Sequence, residues 1–271
     1  MNIKIIIVLS ILFPMLAKSQ NNPIKKILKD HPEFFKEVLA DDQQKEIQII
    51  YSQINRDKNN IAKFKSFSFN ADKIHYFYPA STIKLPTAIF ALEKLNELNI
   101  QNLNLNTHLK IGKDFGKQTI VEEDTSSSDG LPSIANYIKK ILLVSDNDAY
   151  NRLYEFVGRK EINEKLKRHG FNNSRIISRL SVGDSGENAR YTNPFTFYDK
   201  SQEIYHQPQQ FDSKDYPLKL NGLLKGKGYL DGNDSLILKP FNFADKNAFA
   251  LKDQHLMMQK LMFPESFPES K

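Results

Sequence analysis

The chain of 271 residues contains no cysteine and no tryptophan, and only 11 glycines. Without cysteine there is no disulfide framework, no thiolate nucleophile and no thiolate metal site. Six histidines are present (His31, His75, His108, His169, His206, His255), but none stands in an H-E-x-x-H or other paired spacing. No metal or cofactor is therefore expected. Lys225-Gly226-Lys227-Gly228 lacks the Walker spacing of a phosphate loop and reads as a solvated loop. A G-x-S-x-G elbow is also missing.

Apolar residues make up 40% of the chain and charged residues 26%, which suits one large domain or two small ones. The net charge is +6 with the basic residues dispersed, so no nucleic-acid footprint is visible. Met1-Asn2-Ile3-Lys4 is a short basic start, and Ile5 to Leu16 is an apolar run too short to span a bilayer comfortably, a retained N-terminal anchor being the alternative to a leader. With the small residues of Ala17-Lys18-Ser19 behind it, this reads as a secretory signal peptide cut after Ser19. No lipid-bearing cysteine follows it. The expected location is a bacterial periplasm or the medium, with no stable membrane span after cleavage. Loss of residues 1–19 removes Lys4 and Lys18 and no acid, a small change in charge.

Beyond the leader, Asn22-Pro23 looks like a cap and first-turn proline. Ile24, Ile27, Leu28, Phe34, Phe35, Val38 and Leu39 then recur at helical spacing, with a kink expected at His31-Pro32. Ile47 to Ile54 and Phe64 to Phe69 form the two arms of a predicted hairpin. A helix is expected from Ser81 to about Leu98, and residues 99–130 read as polar and irregular. Further helices are expected from Ser133 to Val144, from about Ala149 to the stop at Gly158, and from Glu161 to Arg168. Ser174 to Pro194 reads as a loop pinned at Arg179-Leu180, and Asp253 to Leu261 as one more helix.

Two motifs carry the chemistry. In Tyr78-Pro79-Ala80-Ser81-Thr82-Ile83-Lys84, a serine opens an apolar helix and a lysine follows three residues later. Three residues advance about 4.5 Å along a helix and return to the same face, so the amine of Lys84 can lie below the Ser81 hydroxyl. The run from Leu85 to Leu92 is apolar on nearly every side, which marks a buried helix. A lysine at its edge loses water, its pKa falls, and a neutral amine can then activate a serine. The same residues also suit a helix cap with Lys84 stretching to water. The second motif, Ser145-Asp146-Asn147, falls on the junction of two predicted helices, where side chains can project into a cleft.

Ser81-x-x-Lys84 followed by Ser145-Asp146-Asn147 resembles the class A β-lactamase-like serine hydrolases, part of the penicillin-recognising serine enzymes. The resemblance covers residues from about Ile47 to Pro194, including the order of elements. It implies an α+β fold: a helical subdomain beside an antiparallel sheet, of which only the N-terminal hairpin is expected in this chain. It implies that Ser81 is acylated, that Lys84 activates it, and that Ser145 passes a proton to the leaving nitrogen. Asn147 would bind the substrate amide and the lysine, while Asp146 would tie the junction together. The Ser81 N–H would be one oxyanion donor. The implied partner is a small β-lactam or a peptidoglycan-like peptide, met by a monomer.

The chain also departs from that pattern. No K-T-G or K-x-G follows Asn147; Lys110-Ile111-Gly112 has the form but comes too early. Losing one oxyanion donor costs on the order of 10²–10³ in rate. The expectation is a fragment cut before its last strands, with residues 20–195 as the hydrolase domain and 196–271 as an insertion and incomplete C-terminal part. The deacylating acid that should follow Arg179-Leu180 is either Asp184, which has the right offset, or Glu187, which has the right chemistry. Besides a β-lactamase, the readings left open are a D-alanyl peptidase of cell-wall metabolism and a non-catalytic penicillin-binding sensor.

Overall fold

The nearly all-apolar stretch behind Ser81 becomes the buried axis of the molecule. In a computed structural model, which describes residues 22–40, 46–71, 75–116, 118–182 and 186–268, it forms helix α3 (Lys84–Leu98). Ala88, Phe90, Ala91 and Leu95 on this helix are buried against two later helices, α4 (Ile134–Val144) and α5 (Asn147–Val157). Tyr150, Leu153, Tyr154, Phe156 and Val157 of α5 are fully shielded from solvent. Each such side chain contributes about 1.5–3 kcal/mol of transfer free energy to holding α3 and α5 in the core.

Local chemistry sets the helix ends. Ser133 caps α4 by accepting the Asn136 N–H at 3.2 Å. Asp146 caps α5 by accepting the Ala149 N–H at 2.7 Å. Gly158 ends α5 at φ +93, and a side chain there would strike Gln210, so the position needs glycine. Helix α6 (Arg159–Arg168) follows at once.

The N-terminal pattern resolves into two helices, α1 (Pro23–Asp30) and α2 (Pro32–Leu39), rather than one kinked helix. Pro32 bars its predecessor from helical backbone, and His31 sits at φ −123, ψ 60. The hairpin of β1 (Ile49–Arg56) and β2 (Ala62–Phe69) pairs in register from Ile49 with Phe69 to Arg56 with Ala62. Its turn is closed by Asp57, which accepts the N–H groups of Asn59 and Ile61.

The strand content exceeds the expectation of a lone N-terminal hairpin. Within the stretch read as irregular, β3 (His108–Ile111) pairs with β4 (Phe195–Asp199), which in turn pairs with β5 (Gln202–Gln207). Two nested two-residue ladders follow: β6 (Leu224–Lys225) with β9 (Phe241–Asn242), and β7 (Tyr229–Leu230) with β8 (Leu236–Ile237). Strands of two to four residues carry too little periodicity to be seen without their partners. Lys225 is accordingly not a solvated loop residue: it is half-buried, pairs with Glu46 and lies over the Tyr76 ring. The last long helix, α7 (Leu251–Met262), packs against β1. Among the described residues no helix is long and apolar enough to cross a membrane, and the leader expected over residues 1–19 lies outside them.

Candidate active site

Ser81 does not open the α-helix directly. It stands in a 3₁₀ turn, Ala80–Ile83, that feeds α3. The turn is set by Ala80 in the left-handed region at φ +44, a conformation costly for a residue with a Cβ. It is fastened by the Thr82 N–H and hydroxyl, which both donate to the Pro79 carbonyl, at 2.9 and 2.6 Å. In a 3₁₀ turn, residues three apart eclipse one another, so Ser81 and Lys84 stack. Ser81 is exposed, whereas Lys84 is only 2% exposed.

The Lys84 amine is ringed by oxygens. Its Nζ lies 3.1 Å from Ser81 Oγ, 3.0 Å from Ser145 Oγ, 2.7 Å from Asn147 Oδ1 and 2.5 Å from the Ser145 carbonyl. Burial pushes its pKa below that of an ordinary lysine, and the charge of Asp146 offsets this only in part. A neutral amine keeps two N–H donors and gains a lone pair, to which the hydroxyl of Ser81 or Ser145 can donate. The arrangement can therefore take a proton from one serine and return it through the other.

The second motif reaches this cluster because the corner between α4 and α5 is only two residues long. Ser145 closes α4 in a left-handed conformation at φ 55, ψ 41, with its N–H on the Ile141 carbonyl. Asn147 opens α5 and bridges two groups: its Oδ1 accepts from Lys84, and its Nδ2 donates to Ser181 Oγ at 2.8 Å. Asp146 serves the helix cap.

The loop after α6 is held against α5 side chain by side chain. Asn151 exchanges two hydrogen bonds with the backbone of Leu180, at 2.7 and 3.0 Å. Tyr150 donates to the Ser178 carbonyl, and Asn247 accepts the N–H groups of Ile177 and Ser178. Arg179 holds Glu155 at 2.6 Å and donates to the carbonyls of Asn188 and Tyr191. These anchors place Ser181, at φ +58, on Asn147.

The fold brings together here four of the residues singled out in the sequence: Ser81, Lys84, Ser145 and Asn147. It does not bring Glu187 to them. Glu187 stands exposed in a short 3₁₀ turn, Gly186–Arg190, with no hydrogen bond to any of the four. Arg179 donates to the carbonyl of the neighbouring Asn188 at 3.3 Å. Asp184 lies outside the described residues. Glu155 lines a polar hollow of about 330 Å³ under the same loop; its Oε1 is held by Arg179 at 2.6 Å, while its buried Oε2 has no hydrogen bond among the described residues and lies 3.7 Å from Arg152. Lys110 is exposed on β3 and paired with Glu122 at 3.0 Å, so the early K-x-G plays no part. Among the described residues no group of three His, Asp or Glu side chains stands where it could hold a metal ion.

Two members of the site were not singled out from the sequence. Asn151 could have been, since it lies four residues after Asn147 on the same face of α5. Ser181 had no such signal, because its contact spans 34 residues of chain. Beside the cluster, a cleft of about 510 Å³ runs from Ala80 past Ser181 to the small ladders.

A family model described as the beta-lactamase enzyme family matches residues 33–262 of this chain. No curated protein and no solved structure matches it.

Proposed function

The chain belongs to the beta-lactamase enzyme family, and from that membership we propose that it is an exported serine hydrolase, acylated on Ser81 by β-lactam rings and releasing the opened acid. One observation carries the reading: a lysine amine, 2% exposed, within hydrogen-bond reach of the exposed Ser81 hydroxyl and of Ser145 Oγ.

Neutral Lys84 takes the Ser81 Oγ proton as Oγ bonds to the lactam carbonyl carbon. The oxyanion so formed meets the Ser81 N–H, which no carbonyl occupies among the described residues. The ring C–N bond then breaks. Its nitrogen receives a proton from Ser145 Oγ, which Lys84 replenishes at 3.0 Å. One proton has moved from Ser81 to nitrogen, and an ester remains on Ser81. Asn147, fixed between Lys84 and Ser181, offers its amide to the substrate. Release requires a base for water, and Asp184, with its offset from Arg179-Leu180, is assigned that role.

A second reading is favoured by one finding: among the described residues no carboxylate hydrogen-bonds to Ser81, Lys84, Ser145 or Asn147. Under it the ester persists, as in a penicillin-binding peptidase or sensor. Intact mass after incubation with benzylpenicillin, alongside turnover of a chromogenic cephalosporin, tests both. One adduct per chain, lost in Ser81→Ala, is expected. Turnover then supports hydrolysis, and a stable adduct without turnover supports the second reading. A wild-type chain that never gains the adduct and never turns over the cephalosporin overturns both.

A further inference from the structure

The polar hollow of about 330 Å³ under the Arg179 loop is bordered by none of Ser81, Lys84, Ser145 or Asn147, so what it holds is independent of acylation at Ser81. The four charged residues on its wall cancel. Arg152 pairs with Asp148 at 3.1 Å, and Arg179 pairs with Glu155 at 2.6 Å. Arg152 and Glu155 are buried, which makes splitting either pair costly. An amine entering here would meet two guanidinium groups, and a carboxylate would meet two carboxylates.

Hydrogen-bonding capacity is left over beside those pairs. Glu155 Oε2 is buried and accepts no hydrogen bond among the described residues, although buried polar atoms are paired in almost every native interior. The Thr119 hydroxyl accepts from Arg152 at 2.9 Å, and its own proton meets no acceptor among the described residues. The Asn188 side chain stands exposed on the rim and makes no hydrogen bond among them. One acceptor, one donor and one amide that is both therefore face the same space. Phe115 adds a half-buried ring to the wall, braced by Tyr191 stacked on it at 3.8 Å.

We propose that this hollow is a binding site for one neutral, hydroxyl-rich ring, a single saccharide unit. A sugar hydroxyl both donates and accepts, so one ligand answers Glu155 Oε2, the Thr119 proton and the Asn188 amide together. Carrying no charge, it leaves the two ion pairs whole. The C–H face of its ring covers apolar surface on Phe115. At about 330 Å³ the hollow stands at the small end of ligand sites, which fits one ring rather than a chain of them.

The test uses three sugars of one ring size and different charge. Glucose is neutral, glucosamine below its amine pKa is a cation, and glucuronate is an anion. Each is titrated into the full ¹⁵N-labelled chain while amide resonances are followed. Glucose is expected to bind saturably, with shifts centred on Thr119 and Asn188, and each charged analogue at least about tenfold more weakly. Thr119→Val and Asn188→Ala, both at exposed positions, should each weaken glucose about fivefold, the worth of one hydrogen bond. Both variants should keep the wild-type spectrum away from the hollow, which separates a lost contact from a lost fold. No saturable shift, which leaves water alone in the hollow, would overturn the site. So would equal binding of the three sugars, or glucose binding that neither variant weakens. Adduct formation at Ser81 is scored separately, and either result leaves the other standing.

Discussion

Lys84 at the start of α3 and Lys94 near its end are 2% and 6% exposed, and burial pushes both pKa values down. Their partners differ in kind. Lys94 donates to the Phe156 and Val157 carbonyls at the end of α5, at 2.8 and 3.1 Å, and pairs with Glu161 at 3.3 Å. Carbonyls and a carboxylate can only accept, so this amine must keep all three protons. The negative end of α5 favours that state. Lys84 also meets a helix-end carbonyl, that of Ser145, but its other neighbours are two hydroxyls and an amide, and no carboxylate pairs with it. It can lose a proton without leaving a buried anion bare. Burial lowers the pKa of both lysines; the chemistry of the acceptors decides which one can act as a base.

The comparison breaks most sharply at Lys84. Lys84→Met should slow acylation of Ser81 by about 10²–10⁴, the usual worth of a positioned general base, while costing less stability to urea than loss of Lys94, since it strips a donor from the Ser145 carbonyl and Asn147 Oδ1 but bares no carboxylate. The pH profile sharpens this. The base works only when neutral, so acylation should rise with pH to a plateau reached below the ordinary lysine value of about 10.4. The rise should vanish in Lys84→Met; its persistence there would assign the proton transfer elsewhere.

Lys94→Met should do the opposite. It leaves Glu161 and two carbonyls without their cation, at a cost of about 2–4 kcal/mol in urea unfolding, with acylation by the folded chain within about twofold of wild type. The sign of its pH dependence follows from linkage. The folded pKa is lowered, so between it and the unfolded lysine value the unfolded chain binds more protons, and stability climbs as pH rises through that window. Removing Lys94 should flatten the climb, and an unchanged slope would place the shift on another group.

The smallest effect concerns Ser181, whose hydroxyl holds Asn147 from the side opposite Lys84. Ser181→Ala should slow acylation about fivefold, the worth of one hydrogen bond. Ser181→Gly removes the same hydroxyl but relaxes the left-handed backbone at φ +58. Equal slowing in both assigns the effect to the hydroxyl; slowing in alanine alone would assign it to the backbone.

Much of the helical half was legible in the residues. Ser133 and Gly158 mark helix ends by local hydrogen bonding and by backbone freedom, and both do so here. The sheets were less legible. β3 finds its partner only after the chain has passed through three helices, and the ladders around Lys225 and Phe241 are two residues long. Glu187 illustrates a different limit. Its chemistry suited a base, yet it stands exposed in the turn Gly186–Arg190, and exposure depends on how the whole loop packs rather than on residue type.

What the sequence by itself determined is the pair of local geometries: a hydroxyl and an amine on one face of one turn, and a serine and an asparagine either side of a capped corner. Both follow from hydrogen bonding among neighbours in the chain, which depends on few residues. Only the tertiary structure decided that the two corners meet, that Lys84 is dry while Ser81 is not, and that Ser181 and a cleft border them. Desolvation and shape are sums over side chains brought together from distant parts of the chain, and no short stretch of residues contains those sums.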